Sequence, residues 1–341
     1  MDKRDVNLDL LRVICCIMVI ALHVGTMYGS GIYLKLPVYY FTIGNFFHSV
    51  TRIAVPIFIM ISGAFTLNNT KNMNYKYYYK KILKKIIIPT LIYSVIYVLF
   101  EMCMGTIYSS LRGEEFNYFK PILNWIKGEP YFHLWYMYMI IGCYIITPIL
   151  IKIRILIGDA KLGMLGWIFM FLGMAINLAG INLIWPLQFI QFLGYFILGY
   201  FLKYNNKLTR ASSLPLLITS IILLLNIFVL TEVNIRYNLT PDKFCYLKEL
   251  SPMIIASSIC MYISFLNMRP LKLKISNLAS HTFNIYLIHA GILKLIEFIV
   301  REILKETPNP IWYNSILTIF VFIISYWISL ILSKINKKYI R

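Results

Sequence analysis

The sequence predicts an all-α polytopic membrane protein of about ten transmembrane helices, with both termini on the cytoplasmic side. Three observations predict it. The chain is 59% hydrophobic and 14% charged, with a mean hydropathy of +0.71, whereas soluble domains carry about 25% charged residues. Apolar windows long enough to cross a bilayer, about 20 residues each, recur along its length. Placing the N-terminus in the cytoplasm gathers 22 of the 33 Lys and Arg residues in loops and span ends on that side, against four acids, as the positive-inside rule requires. No stretch is polar and long enough to fold in water alone. Residues 1–341 are therefore read as one membrane domain with no appended soluble domain.

The windows fall at 8–28, 42–67, 86–104, 132–151, 163–180, 186–203, 212–231, 250–268, 281–299 and 311–333. The first opens on Asn7-Leu8-Asp9-Leu10-Leu11-Arg12. Charges interrupt its start and no small-residue cleavage site follows, so it reads as an uncleaved span rather than a signal peptide. Lys3, Arg4 and Arg12 mark its cytoplasmic edge. The run from Lys71 through Lys76, Lys80, Lys81 and Lys84 to Lys85 separates the second and third windows. Lys152, Arg154 and Lys161 separate the fourth and fifth, and Lys203, Lys207 and Arg210 the sixth and seventh. Arg269, Lys272 and Lys274 lie between the eighth and ninth, and Lys334, Lys337, Lys338 and Arg341 follow the tenth. The longest connections, 105–131 and 232–249, are expected outside. The first carries Phe116, Tyr118, Phe119, Trp125 and Tyr131, which suits a segment lying in the interface, either folded over a site or forming a plain aromatic belt.

Composition also excludes classes. The net charge of +19 is spread over short loops, with no basic, aromatic-interleaved soluble module, so nucleic acid is not an expected partner. Six cysteines at 15, 16, 103, 143, 245 and 260 form neither a CxxC pair nor a metal-ligand spacing, and no metal is expected.

Chemistry concentrates on the first span. Arg12 and His23 are eleven residues apart. At 3.6 residues per turn that is close to three turns, so both leave nearly the same helix face, roughly 16 Å apart along the axis. Asp9 shares that face. Ionisable groups inside a membrane are costly and are candidate functional groups by default. A second polar face carries Asn45, His48 and Arg52, each about one turn from the next.

The pattern Asp9-Leu10-Leu11-Arg12, ten residues, His23 resembles the N-terminal signature of the acyltransferase-3 family of integral-membrane acyltransferases. Three further segments resemble family motifs in order. They are Val55-Pro56-Ile57-Phe58-Ile59-Met60-Ile61-Ser62-Gly63-Ala64, His133-Leu134-Trp135-Tyr136 and Thr282-Phe283-Asn284-Ile285-Tyr286-Leu287-Ile288-His289. The resemblance implies transfer of an acyl group, commonly acetyl, from cytoplasmic acyl-CoA to a hydroxyl of an extracytoplasmic or lipid-linked cell-envelope glycan. Acyl-CoA is then a co-substrate, with no permanently bound cofactor. The Lys-, Ile- and Asn-rich composition points to an AT-rich bacterial genome, and the expected location is the bacterial cytoplasmic membrane.

Read in that light, His23, Arg12 and Asp9 are the candidate catalytic residues. His23 suits a general base, with a reference pKa of about 6.5, or a transient acyl carrier. Arg12 offers a fork for the phosphates of acyl-CoA, oriented by Asp9. Lys81, Lys84 and Lys85 add cationic donor-binding groups. Lys81 and Lys84 keep the spacing of the family's Arg-x-x-Arg but with lysine, which loses bidentate phosphate recognition. Ser62 and Gly63 lack the G-x-S-x-G elbow of a serine nucleophile. They serve close helix packing or leave a passage for the acyl-CoA arm. Asn45, His48, Arg52, Trp135 and Tyr136 are candidate acceptor-binding residues, with an interfacial belt the plainer role for the last two. His289 is a second site histidine or a packing residue. Glu101, Glu129 and Glu297 are weaker candidates for assisting a base. The alternative class is a secondary transporter or flippase for an envelope precursor. Such proteins show paired repeats and midplane acids, and neither is evident here.

Overall fold

The computed structural model describes residues 5–29, 37–181, 183–204, 212–305 and 308–339, and these contain helices but no strand. In chain order the α-helices are α1 (Val6–Gly29), α2 (Val38–Thr51), α3 (Ala54–Asn68), α4 (Tyr75–Ile82), α5 (Ile88–Arg112), α6 (Phe119–Ile126), α7 (Trp135–Ile157), α8 (Asp159–Leu178), α9 (Phe189–Tyr204), α10 (Ser213–Tyr237), α11 (Pro252–Asn267), α12 (Ser276–Phe298) and α13 (Pro310–Tyr339). Among the described residues nine helical stretches are long and apolar enough to cross a membrane. The tenth expected span, 186–203, corresponds to α9, which is shorter at 16 residues. That is about 24 Å of helix against a hydrocarbon core of about 30 Å. Of the charges used to orient the chain, Lys3, Arg4, Lys207, Arg210 and Arg341 lie outside the described residues.

Two expected boundaries are corrected, and proline explains both. The window 42–67 is not one helix: it breaks at Arg52–Ile53, between α2 and α3. Pro56 has no N–H to give the carbonyl four residues earlier, that of Arg52, and its ring crowds that carbonyl. The helix of the third span begins well before residue 86. It runs from Tyr75 to Arg112, basic over its first turns and apolar after them, through a π turn at Leu83–Ile87. Pro89 bears the same relation to Lys85 inside that turn, and a wider i→i+5 turn accommodates the missing bond. The lysine cluster is therefore part of the span's own helix and not a loop before it.

The chain folds as two compact units, Met1–Phe58 with Asn205–Arg341, and Ile59–Tyr204. In the first, α1 packs against α12 and α13 around Cys16, Ile20, Val24, Ile285, Leu293, Leu317 and Val321, all buried. Asn7 anchors the start of α1: its Nδ2 donates to the Met268 carbonyl (2.7 Å) and its Oδ1 accepts from the Leu271 N–H (3.2 Å). Asp5 caps the same end, accepting from the Leu8 N–H (3.1 Å), where the helix leaves its first N–H groups without partners. Helices α10 and α11 are joined by Ser220 and Ser257, each of which donates to the other's backbone carbonyl (2.9 and 3.1 Å).

The second unit is packed through glycine. A Cβ on Gly63 would collide with the Phe196 carbonyl, one on Gly199 with the Met60 backbone, and one on Gly173 with the Gln191 carbonyl. Such contacts let backbones approach where lipid supplies no hydrophobic drive between helices. At Gly63 the close helix packing expected of a small residue is what is seen, with helix α9 filling the space beside it. The segment 105–131 forms α6, whose Trp125 Nε1–H donates to the Tyr138 hydroxyl (2.8 Å), itself 3.0 Å from Ser94 Oγ.

Candidate active site

The histidine expected at the end of the α1 polar stripe meets two others within the first unit. His23 lies partly exposed near the C-terminal end of α1, with its carbonyl accepting from the Thr26 hydroxyl (2.6 Å). Its ring stacks on that of His289 of α12, centroids 5.4 Å apart and planes 22° from parallel. His289 is fully buried, and its Nδ1–H donates to the Tyr286 carbonyl (2.7 Å). A carbonyl can only accept, so this bond fixes the proton on Nδ1 and leaves the lone pair of the neutral ring on Nε2. Thus one histidine of the stack is fully buried and held through its Nδ1, and the other is partly exposed.

Gly25 brings α2 close to α1 at this level. A Cβ there would lie 3.3 Å from Phe47 Cβ, 3.5 Å from the Gly44 carbonyl oxygen and 3.7 Å from the His48 nitrogen. His48, buried, is thereby carried beside the His23 turn. Arg52, at the break after α2, donates from Nη2 to His48 Nε2 (2.8 Å) and from Nη1 to Glu249 Oε1 (2.9 Å). A guanidinium only donates, so His48 accepts as a neutral ring. Arg52 and His289 lie within electrostatic range of His23, and His23 within that of His48. Three histidines and an arginine thus form one constellation, drawn from α1, α2 and α12. Among the described residues no group of three or more His, Cys, Asp or Glu is arranged to hold a metal ion. What the constellation can do is move a proton at His23 and offer a fixed positive charge nearby.

The other expected residues fall in different places. Arg12 and Asp9 form a local ion pair (3.7 Å) near the start of α1, with Asp9 buried and the Arg12 side chain 27% exposed. Asn45 is directed elsewhere: its Nδ2 donates to Glu232 Oε2 (2.9 Å) and the Phe228 carbonyl (3.2 Å) of α10, and its Oδ1 accepts from Ser49 (3.2 Å). Glu232 also accepts from Thr42 (2.7 Å) and from Arg236 (2.6 Å). This makes a clamp between α2 and α10 in which Asn45 takes part. Glu297 pairs with Lys294 (3.7 Å).

In the second unit, Lys84 and Lys85 are exposed within the π turn, and Lys81 is half-buried on the turn before it. Ser62 is half-buried, its carbonyl accepting from Thr66. Trp135 tilts against Phe192 (5.7 Å) and Tyr136 is buried. His133, expected at an outer edge, is buried among Tyr97 (4.9 Å, edge-on) and Tyr131 (5.8 Å).

Sequence reasoning missed Glu249 and Glu232. The usable signal was Arg52 itself: an arginine inside a span requires a carboxylate or carbonyl partner.

No curated protein and no solved structure matches the chain. The family model described as an acyltransferase domain matches residues 5–330, nearly the whole chain. With nine membrane-crossing stretches among the described residues and that match over nearly its full length, the chain belongs to the acyltransferase-3 family and is a membrane acyltransferase.

Proposed function

We propose that the protein takes an acyl group, acetyl in the commonest case, from cytoplasmic acyl-CoA and delivers it to a hydroxyl of an extracytoplasmic or lipid-linked glycan. It acts in a bacterial cytoplasmic membrane with both termini inside. One observation carries this reading: His23 is the partly exposed member of a histidine stack whose other ring is buried and held by the Tyr286 carbonyl, on the helix that bears Arg12 three turns away.

In the direct route His23 takes the proton of the acceptor hydroxyl as its oxygen attacks the thioester carbonyl. The carbonyl oxygen gains negative charge next to the Arg52 guanidinium. The C–S bond then breaks, and the departing CoA thiolate takes the proton from His23. In the two-step variant His23 itself attacks, CoA leaves, and the hydroxyl then cleaves the acyl-imidazole. Arg12 binds the donor's phosphates; Lys81, Lys84 and Lys85, in the other unit, are basic groups suited to an anionic donor or to anionic lipid. His48 supports Arg52. Trp135 stands as an acceptor contact, because its ring is partly exposed and an aromatic face suits a sugar.

The test is thiol release from acetyl-CoA by the protein reconstituted in liposomes, with a mixture of methyl glycosides as acceptors. His23→Ala lowers the rate by about 10²–10⁴-fold, the usual loss of a general base, while acetyl-CoA binding persists. Radiolabelled acetyl retained on the protein identifies the two-step variant. Wild-type release by a well-expressed His23→Ala, or none by the wild type, overturns the reading.

A further inference from the structure

The ion pair between Arg52 and Glu249 joins residues 197 positions apart. Glu249 does not hang from a loose loop. Asn234, fully buried on α10, donates to the carbonyls of Asp242 (3.2 Å) and Lys243 (3.0 Å), and its Oδ1 accepts from the Thr240 N–H (2.8 Å) and hydroxyl (3.0 Å). Lys248 pairs with Asp242 (2.7 Å), and Ser251 donates to the Tyr246 carbonyl (3.1 Å). The connection 238–251 is therefore tied at both sides of the carboxylate. At the other end, the guanidinium uses Nη1 on Glu249 and Nη2 on His48, while its Nε is buried with no protein partner. An arginine that only fastened two helices would leave no donor so placed, since an unsatisfied buried N–H is costly.

We infer that Glu249 is a positioning residue, and that the connection 238–251 is the built support of its carboxylate. Through the ion pair it holds the Arg52 guanidinium on His48 and within electrostatic range of His23, with one N–H left for the oxygen that becomes negative during acyl transfer. The inference rests on His23 as the reacting histidine. Glu249 touches no substrate; it fixes the direction of the fork and offsets the charge of Arg52, which would otherwise draw the fork toward other acceptors.

A double-mutant cycle tests this, with kcat from thiol release counted per acetyl-CoA-binding site, so that misfolded protein does not count. Methyl glycosides again serve as acceptors. Arg52→Ala is expected to slow turnover about 10²–10³-fold, as loss of an oxyanion donor does. The near-isosteric Glu249→Gln is expected to slow it about 10–100-fold with KM for acetyl-CoA unchanged. The double variant is expected to be no slower than Arg52→Ala, because residues acting as one unit are not additive. Ethylguanidinium is expected to restore part of the Arg52→Ala rate only where Glu249 is present. Additive losses, or rescue without Glu249, overturn the inference. A wild-type kcat in Glu249→Gln beside an inactive His23→Ala overturns it while leaving the acyl-transfer reading intact. Wild-type transfer by His23→Ala removes both.

Discussion

In the unit formed by residues 1–58 and 205–341, helices meet through ions and amides: Arg52 on Glu249, Asn45 on Glu232, Asn7 on the Met268 carbonyl. In the unit formed by 59–204 the closest approaches are made through missing side chains, with Gly63, Gly173 and Gly199 each letting another helix's backbone into contact. Both arrangements hold helices together in lipid. The glycine contacts are complete in themselves and leave nothing reactive. The polar contacts are costly to bury, and one of them, Arg52 on Glu249, also holds a charged group on His48. The difference teaches where to look: the histidine stack sits in the unit that carries buried charge, and the unit packed by glycine is the more uniform scaffold.

That contrast breaks first, and by the largest amount, at glycine. Gly199→Val places atoms on the Met60 backbone, which cannot swing aside as a side chain would. The expected cost is about 3 kcal/mol or more, at the upper end of overpacking, seen as a lowered unfolding temperature in detergent. An unchanged transition would mean that the close approach is not what holds this unit.

Arg12→Ala sharpens the contrast from the other side. Loss of one charge-assisted phosphate contact is worth about 1.5–3 kcal/mol, so acetyl-CoA binding should weaken roughly 10- to 100-fold with unfolding little changed. The second part follows because the Arg12 side chain is 27% exposed and its link to Asp9 is long at 3.7 Å. Calorimetry showing wild-type affinity would remove Arg12 from the donor site.

Lys81→Ala and Lys84→Ala are expected to have the smallest effects. Lys84 is exposed and Lys81 half-buried, and point charges of this kind contribute little and are screened by salt. A few-fold loss of acetyl-CoA affinity at low salt, vanishing at high salt, is the expected result. A loss matching that of Arg12→Ala would move donor recognition into the second unit.

Much of this was legible beforehand, for identifiable reasons. Hydropathy over 20 residues is a strong signal, and each expected window falls on helix, 42–67 on the pair α2 and α3, although α9 is short. The three-turn spacing of Arg12 and His23 depends only on helix pitch. The break after α2 was also written in the chain, since Pro56 deprives the Arg52 carbonyl of its partner, but an apolar window does not register it. Other features had no local signature. Nothing near Arg52 names Glu249 as its partner, because the pair is formed by packing across 197 positions. Gly63 announces a close approach without saying what approaches, and a passage and a helix backbone look alike in sequence. Asn45 shares a face with His48 by periodicity, yet its amide turns to α10 because Glu232 is there to receive it.

The π turn at Leu83–Ile87 has a consequence for how this chain tolerates insertion and deletion. A π turn amounts to one residue added to an α-helix, and one residue is worth about 100° of rotation. Deleting a single residue between Leu83 and Ile87 would remove that extra residue and let the helix close into regular α geometry, with Tyr75 to Ile82 kept on nearly the same face against α5. The same deletion in the regular helix of α5 would instead turn everything before it by about 100°: Tyr78, fully buried, would swing out of the interior, and an exposed neighbour such as Tyr77 would swing in. A reading-frame-preserving deletion inside the π turn is therefore expected to be mild, whereas one a turn further along behaves as a rearrangement of a whole face.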